Sequence, residues 1–139
     1  MQYCSPKEFC AAPLVSVIIP AFNAETTIRR TINSVLGQTY KYIEVLVVDD
    51  GSTDRTAEIV ESIAEKDLRI TLLQKQNSGV ADARNLAIQK ARGEYIANID
   101  ADDIWYPENI EKQVKQMLIA EPAVGVVYAW SVVIDENGR

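Results

Sequence analysis

The sequence has 139 residues, 47% hydrophobic and 24% charged, the length and balance of one globular domain with a core of its own. Its 20 acidic and 14 basic residues leave a net charge of −6, which argues against a nucleic-acid-binding face, because phosphate backbones are gripped by clustered Lys and Arg. His is absent, so imidazole metal sites and Ser-His or Cys-His nucleophiles are excluded. A small anionic ligand is still allowed, since helix N-termini or metal ions can hold phosphate without a basic patch.

Residues 1–13 read as an irregular leader. They carry Cys4 and Cys10, too few for a disulfide framework and in no zinc spacing, so free thiols in a reducing compartment are expected. The leader lacks the apolar run of a signal peptide, and no segment reaches membrane-spanning length, so a cytoplasmic location is expected. Leu14 to Ile19 is a short β-branched run stopped by Pro20, as in a buried strand. Asn23 can cap a helix bearing Ile28, Ile32, Val35 and Leu36 on one face and ended by Gly37. Ile43 to Val48 is a second strand, and a helix with Ala57, Val60, Ile63 and Ala64 inward starts near Asp54.

Arg69 to Leu73 reads as a third strand. Ser78 can cap a helix with Val80, Ala83, Ala87 and Ala91 on one face, ended by Gly93. Glu94 to Ile99 is a fourth strand, and Pro107 suits the first turn of a helix striped by Ile110, Val114, Met117 and Leu118. Val124 to Val133 is read as a further strand, and Asp135 to Gly138 as hairpin turn chemistry. Repeated strand–helix units predict an α/β fold, a mostly parallel sheet with helices on both faces.

Open α/β sheets gather ligands at the carboxyl ends of their strands. After the first strand stand Pro20, Ala21, Phe22 and Asn23; after the second, Asp49 to Asp54; after the fourth, Asp100, Ala101, Asp102 and Asp103. Asp54 is expected only to cap its helix. The run of Asp100, Asp102 and Asp103 precedes its helix by several residues, so capping does not account for it. Carboxylates so close repel by about 1–4 kcal/mol per pair in wet surroundings unless a cation neutralises them. Oxygen-only ligands favour a hard divalent ion, Mg²⁺ or Mn²⁺, held by Asp102 and Asp100 and completing its shell from water and phosphate oxygens. The small Ala101 between them leaves room for a ligand. No Gly-x-Gly-x-x-Gly or Gly-Lys-Ser/Thr loop offers another grip on phosphate.

Four segments carry a family resemblance: Val15 to Asn23, Val47 to Asp54, Asn77-Ser78-Gly79 with Ala83-Arg84-Asn85, and Asp100-Ala101-Asp102-Asp103 with Pro107 downstream. In order and spacing they resemble family 2 glycosyltransferases, the last matching that family's Asp-x-Asp motif. The resemblance implies a GT-A fold, a nucleotide-diphosphate sugar donor (a UDP-sugar), a divalent metal, a saccharide or lipid-linked acceptor and inversion at the anomeric carbon. By position, Pro20, Ala21 and Phe22 would line the nucleoside pocket. Asp50 would accept from the base, Arg84 would lie near base or phosphates, Asp100 and Ala101 would meet ribose or metal-bound water, and Asp102 would ligate the metal. An ionised Asp offers acceptors only, which suits the imide N–H of uracil. Arg84 has a second reading, a surface ion pair with Asp82.

The family's general base lies in its acceptor half, so it is expected beyond Arg139 and no catalytic residue is assigned. The expected organisation is the leader, then a donor-binding part over 14–139 that is inactive alone and works at the cytoplasmic face of a membrane in a longer protein. An exposed sheet edge leaves homodimer pairing open. The alternative reading is a non-catalytic nucleotide-binding module of the same fold. A response-regulator-like domain would want acids after the first strand, where Pro20-Ala21-Phe22-Asn23 stand, and a dehydrogenase would want the missing glycine fingerprint.

Overall fold

The computed structural model describes residues 12–120, 123–129 and 131–133; Cys4, Cys10 and the turn at 135–138 lie outside them. Among the described residues, strands and helices alternate as β1 (Val15–Ala21), α1 (Ile28–Leu36), β2 (Ile43–Asp49), α2 (Thr56–Ala64), β3 (Ile70–Gln74), α3 (Val80–Lys90), β4 (Tyr95–Asn98) and α4 (Asn109–Ile119). All pairings are parallel, in the order β3-β2-β1-β4. After β3 the chain crosses over β2 and β1 to lay β4 on the far side of β1, so the strand order reverses between β1 and β4.

The two inner strands are buried at every position, which is why they read as nearly continuous apolar runs, interrupted by Ser16 and Glu44, rather than alternating ones. Val15, Val17 and Ile19 of β1 and Ile43, Val45 and Val47 of β2 pack with Ile28, Ile32 and Val35 of α1, Val60 and Ile63 of α2, and Ile110 and Val114 of α4. The opposite face, Ile18, Leu46 and Val48, is covered by α3 through Ala83 and Ala87, both fully buried. At roughly 1.5–3 kcal/mol per buried aliphatic side chain, the first face carries most of the hydrophobic stabilisation. No helix among the described residues is long and apolar enough to cross a membrane.

At the amino ends of the strands, the α3 face turns polar. Ser16 and Glu44, register partners on β1 and β2, are both buried. Ser16 Oγ donates to Glu44 Oε1 at 2.6 Å, Arg92 gives the same carboxylate its backbone N–H at 2.7 Å and its Nε at 2.8 Å, and Gly93 N donates to Ser16 Oγ at 2.8 Å. Burial pushes the Glu44 carboxyl up, but the donors from Ser16 and Arg92 outweigh it and hold Glu44 below its ordinary value. Gly93 therefore has a different reason from the helix stop expected of it, because α3 already ends at Lys90. A Cβ at Gly93 would lie 2.5 Å from both the N and the Oγ of Ser16.

Several expected boundaries move. Asn23 does not cap α1, which begins at Ile28; it sits at φ 48° and its Oδ1 accepts from Thr53 N at 2.9 Å on the neighbouring loop. Asp54 does serve the start of α2, accepting from Thr56 N at 2.9 Å, and its other oxygen takes Glu25 N at 3.0 Å. Ser78 is not the cap of α3: that position is Gly79, and the Ser78 hydroxyl donates to Asp82 at 2.7 Å. Pro107 precedes α4 rather than opening it.

The strand expected over Val124 to Val133 is not found among the described residues of that stretch, where Val126 is 77% and Val133 97% exposed. Apolar β-branched residues form a strand only where an edge supplies partners for their N–H and C=O groups. Residues 125–127 instead help line a groove of about 410 Å³ between β4 and α4.

Candidate functional site

Strands β2 and β3 end side by side, with Asp49 opposite Gln74. The loops beyond them border an open cleft of about 550 Å³ lined by Asp49, Gly51, Ser52, Gln74, Lys75, Gln76 and Asn77. Behind this lining Asp50 is only 4% exposed. Its Oδ1 accepts from Lys75 Nζ at 2.8 Å and Ser78 N at 3.0 Å, and its Oδ2 from Gly79 N at 2.8 Å. The Lys75 ammonium, helped by the two amides and opposed by burial, holds the Asp50 carboxyl below its ordinary value. Gly51 has φ 77°, and a Cβ there would meet Asn77 N at 2.9 Å, so the approach of the two loops requires glycine.

The end of β1 is tied to the same region. Pro20 and Ala21 are buried, and the Ala21 carbonyl accepts from Asp50 N at 2.9 Å. Phe22, next in the chain, is 51% exposed. Asn23 N donates to Ser52 Oγ at 2.9 Å and Ala24 N to Thr56 Oγ1 at 2.8 Å, so the loops after β1 and β2 form one cross-braced unit.

The acidic run after β4 is held from below by α1. Thr31 Oγ1 donates to Ala101 O at 2.8 Å, Trp105 N donates to Ser34 Oγ at 3.2 Å, and buried Gln38 gives its Nε2 to Tyr106 O at 2.7 Å while its Oε1 accepts from Ile110 N at 3.0 Å. Gln38 thus caps α4 from the loop that follows α1. Ala101, half-buried between these acids, packs against the core cluster. Asp100 receives Arg84 NH2 at 2.6 Å, which turns Arg84 away from Asp82 and towards the strand ends. Arg84 Nε is buried and has no partner among the described residues. Asp102 is exposed, and its carbonyl, not its carboxylate, accepts from Arg30 NH2 at 3.4 Å. Burial and the neighbouring Asp102 and Asp100 push the Asp103 carboxyl up.

Among the described residues no three His, Cys, Asp or Glu gather to enclose an ion. The donor set nevertheless fits a hard cation held by few protein ligands: oxygen donors only, open to solvent, with mutual repulsion to relieve. The structure therefore brings Arg84, Asp100, Ala101 and Asp102 together at the β4 end, and links Ala21 to Asp50 at the β1–β2 end. None of Pro20, Phe22, Arg84, Asp100, Ala101 or Asp102 lines the cleft beside Asp50. Lys75, Gln76 and Asn77, which do, were not among the residues expected at the site. Their position just past the carboxyl end of β3 is the signal that could have found them.

A family model for glycosyl transferase family 2 matches residues 16–139. The "Putative teichuronic acid biosynthesis glycosyltransferase TuaG" of Bacillus subtilis is 44% identical over 107 residues, which cover 76% of this chain and 42% of that protein. Among solved structures, Staphylococcus aureus TarS 1–349 in complex with UDP superposes with a TM-score of 0.69 at 35% identity, over 75% of this chain and 32% of that one. The mannosyltransferase PcManGT from Pyrobaculum calidifontis in complex with GDP-Man and Mn²⁺ gives a TM-score of 0.75 at 34% identity, over 81% and 34%. The chain spans less than half the length of these relatives.

Proposed function

The chain belongs to glycosyl transferase family 2 and carries the GT-A fold, and we propose that it is the donor-binding part of an enzyme transferring a sugar from a UDP-sugar to a saccharide or lipid-linked acceptor in polysaccharide or glycoconjugate synthesis. The observation that carries this reading is the division of acids between two strand ends. Asp50 is a buried acceptor, its carboxyl held below the ordinary value by Lys75, beside an open cleft, and Asp100 and Asp102 form an exposed carboxylate edge next to a guanidinium. The first suits a nucleobase N–H and the second a metal-bound diphosphate. The TarS complex with UDP and the PcManGT complex with GDP-Man and Mn²⁺ support a nucleotide donor and a divalent ion in proteins of this fold.

In this reading Asp102, with Asp100, holds Mg²⁺ or Mn²⁺, which when bound offsets the charge that builds on the leaving diphosphate. Arg84 pairs with Asp100 through NH2, which sets a guanidinium beside the carboxylate edge where an anionic ligand would meet it. Pro20 and Ala21 contribute backbone and shape, and Phe22 an exposed face for the nucleoside. Inversion and the catalytic base belong to the reading of the whole protein, and no residue of this chain is assigned as base. Transfer needs a base at the acceptor hydroxyl, worth about 10²–10⁴ in rate, so we expect this chain alone to bind donor without transferring sugar.

Calorimetric titration with UDP, in Mn²⁺ and in EDTA, tests the proposal. UDP should bind markedly more tightly with Mn²⁺ than in EDTA, and more tightly than ADP or GDP. Equal affinity in EDTA, or a preference for a purine nucleotide, overturns it.

A further inference from the structure

Lys75 is the first residue beyond β3 and borders the cleft. Its side chain is 18% exposed, and its ammonium donates to Asp50 Oδ1 at 2.8 Å, to Gln76 O at 2.8 Å and to the Ser78 hydroxyl. An ammonium has three donors and no more, so each is committed inside the protein. That argues against a direct grip of Lys75 on a diphosphate. The other side of the pair is equally constrained. A carboxylate has about four acceptor sites; Lys75 and Ser78 N occupy those of Oδ1, and Gly79 N occupies one on Oδ2. One acceptor, on Oδ2, is left.

We propose that Lys75 is a positioning residue for base recognition: it locks the Asp50 carboxylate in one rotation, with a single acceptor open, so that the cleft takes a base presenting a donor and rejects one presenting an acceptor. The proposal rests on Asp50 meeting the nucleobase. Uracil offers an imide N–H at the ring position where cytosine offers a bare nitrogen, so UDP and CDP are the diagnostic pair. Without Lys75, Oδ1 regains a free acceptor and the carboxylate can turn. The charges that remain nearby are acidic: Asp49 is adjacent and buried, and Asp82 Oδ2 lies 4.0 Å from the Lys75 nitrogen. Both favour protonation of Asp50, against the two amides of Ser78 and Gly79. A protonated Asp50 can donate, and cytosine then becomes acceptable. A purely structural Lys75 would brace the loop and leave base choice alone.

The test compares this chain with its Lys75→Met, Lys75→Gln and Lys75→Arg variants, measuring Mn²⁺-supported affinity for UDP and CDP at pH 7.5 and pH 5 together with thermal midpoints. Once the Asp50 carboxylate is free to turn, UDP binding should weaken in Lys75→Met. The UDP-over-CDP ratio should shrink, more at pH 5 than at pH 7.5, and Lys75→Arg should restore it. Lys75→Gln keeps a donor without the charge and gives the same reading if the Met variant does not fold. A lowered midpoint with an unchanged UDP-to-CDP ratio overturns the proposal. Failure of the unmodified chain to bind UDP in Mn²⁺ overturns instead the assignment of Asp50 to a base, and the proposal with it.

Discussion

At Asp102 a carboxylate stands in solvent with like charges beside it, whereas at Asp50 one is buried and held by an ammonium and two amides. Substitution to Asn should therefore separate binding from stability in opposite ways. Asp102→Asn relieves repulsion at an exposed loop, so its effect on unfolding should stay within about 0.5 kcal/mol, while the gain in UDP affinity from Mn²⁺ should be largely lost. Asp50→Asn puts an amide among donors and strands the Lys75 charge. It should cost about 1–3 kcal/mol of stability and relax base choice, leaving the Mn²⁺ effect in place. Denaturant unfolding and paired titrations measure both, and indistinguishable variants would contradict this division of roles. The two acids were legible as site candidates because each follows a strand. What the residues alone did not display was that Lys75, on the strand end left unread, completes one of them.

Among the elements, the close approach of the α3–β4 connection to β1 makes the sharpest demand. Gly93→Ala places a methyl 2.5 Å from two atoms of Ser16 and 2.8 Å from Leu14 O, two of the three contacts being backbone. Overpacking of this kind costs about 1–3 kcal/mol or more, and the buried Ser16–Glu44–Arg92 bonds would be disturbed with it. Equilibrium unfolding in urea should register that loss, and a neutral variant would mean that the connection can shift away. Strands β1 and β2 and the helix stripes were legible because periodicity reports burial. Helix starts were not, for a physical reason. At α4 the Ile110 N is served across the fold by Gln38, and before α1 the nearest polar residue, Asn23, is occupied with Thr53, whereas at α2 the local Asp54 does serve Thr56 N. Val124 to Val133 misled in the converse way, since its strand chemistry has no paired edge among the described residues.

Taken as a whole, the molecule stores part of its stability in carboxylates. Glu44, Asp50, Asp54 and Asp67 all sit below their ordinary values, 4.5 for Glu and 3.8 for Asp. A lowered native value means that the stabilisation is present above the ordinary value and is lost as pH falls through the native one. Asp103, pushed up, works the other way, with its stabilising share present in acid and lost as pH rises through its native value. The lowered groups outnumber it, so denaturant midpoints should hold near neutral pH and decline steadily below about pH 4. A flat or rising profile between pH 5 and pH 3 would refute this account.

The reversal of strand order also bears on how the protein is made. Of the four strands, β1 leaves the ribosome before the others and takes an inner place in the sheet, yet its neighbour β4 is made after β2 and β3: Ser16 and the Gly93 that seats β4 beside it are 77 residues apart. At about 5–20 residues per second, translation leaves that side of β1 without its partner for roughly 4–15 s. During that interval β2 can pair on the other side, while the edge that β4 will take presents open backbone groups along Val15 to Ile18, a segment prone to pairing with other chains. Crowded overexpression should therefore reward a chaperone that shields the edge until β4 arrives, and slower synthesis, which lengthens the interval, should make aggregation worse.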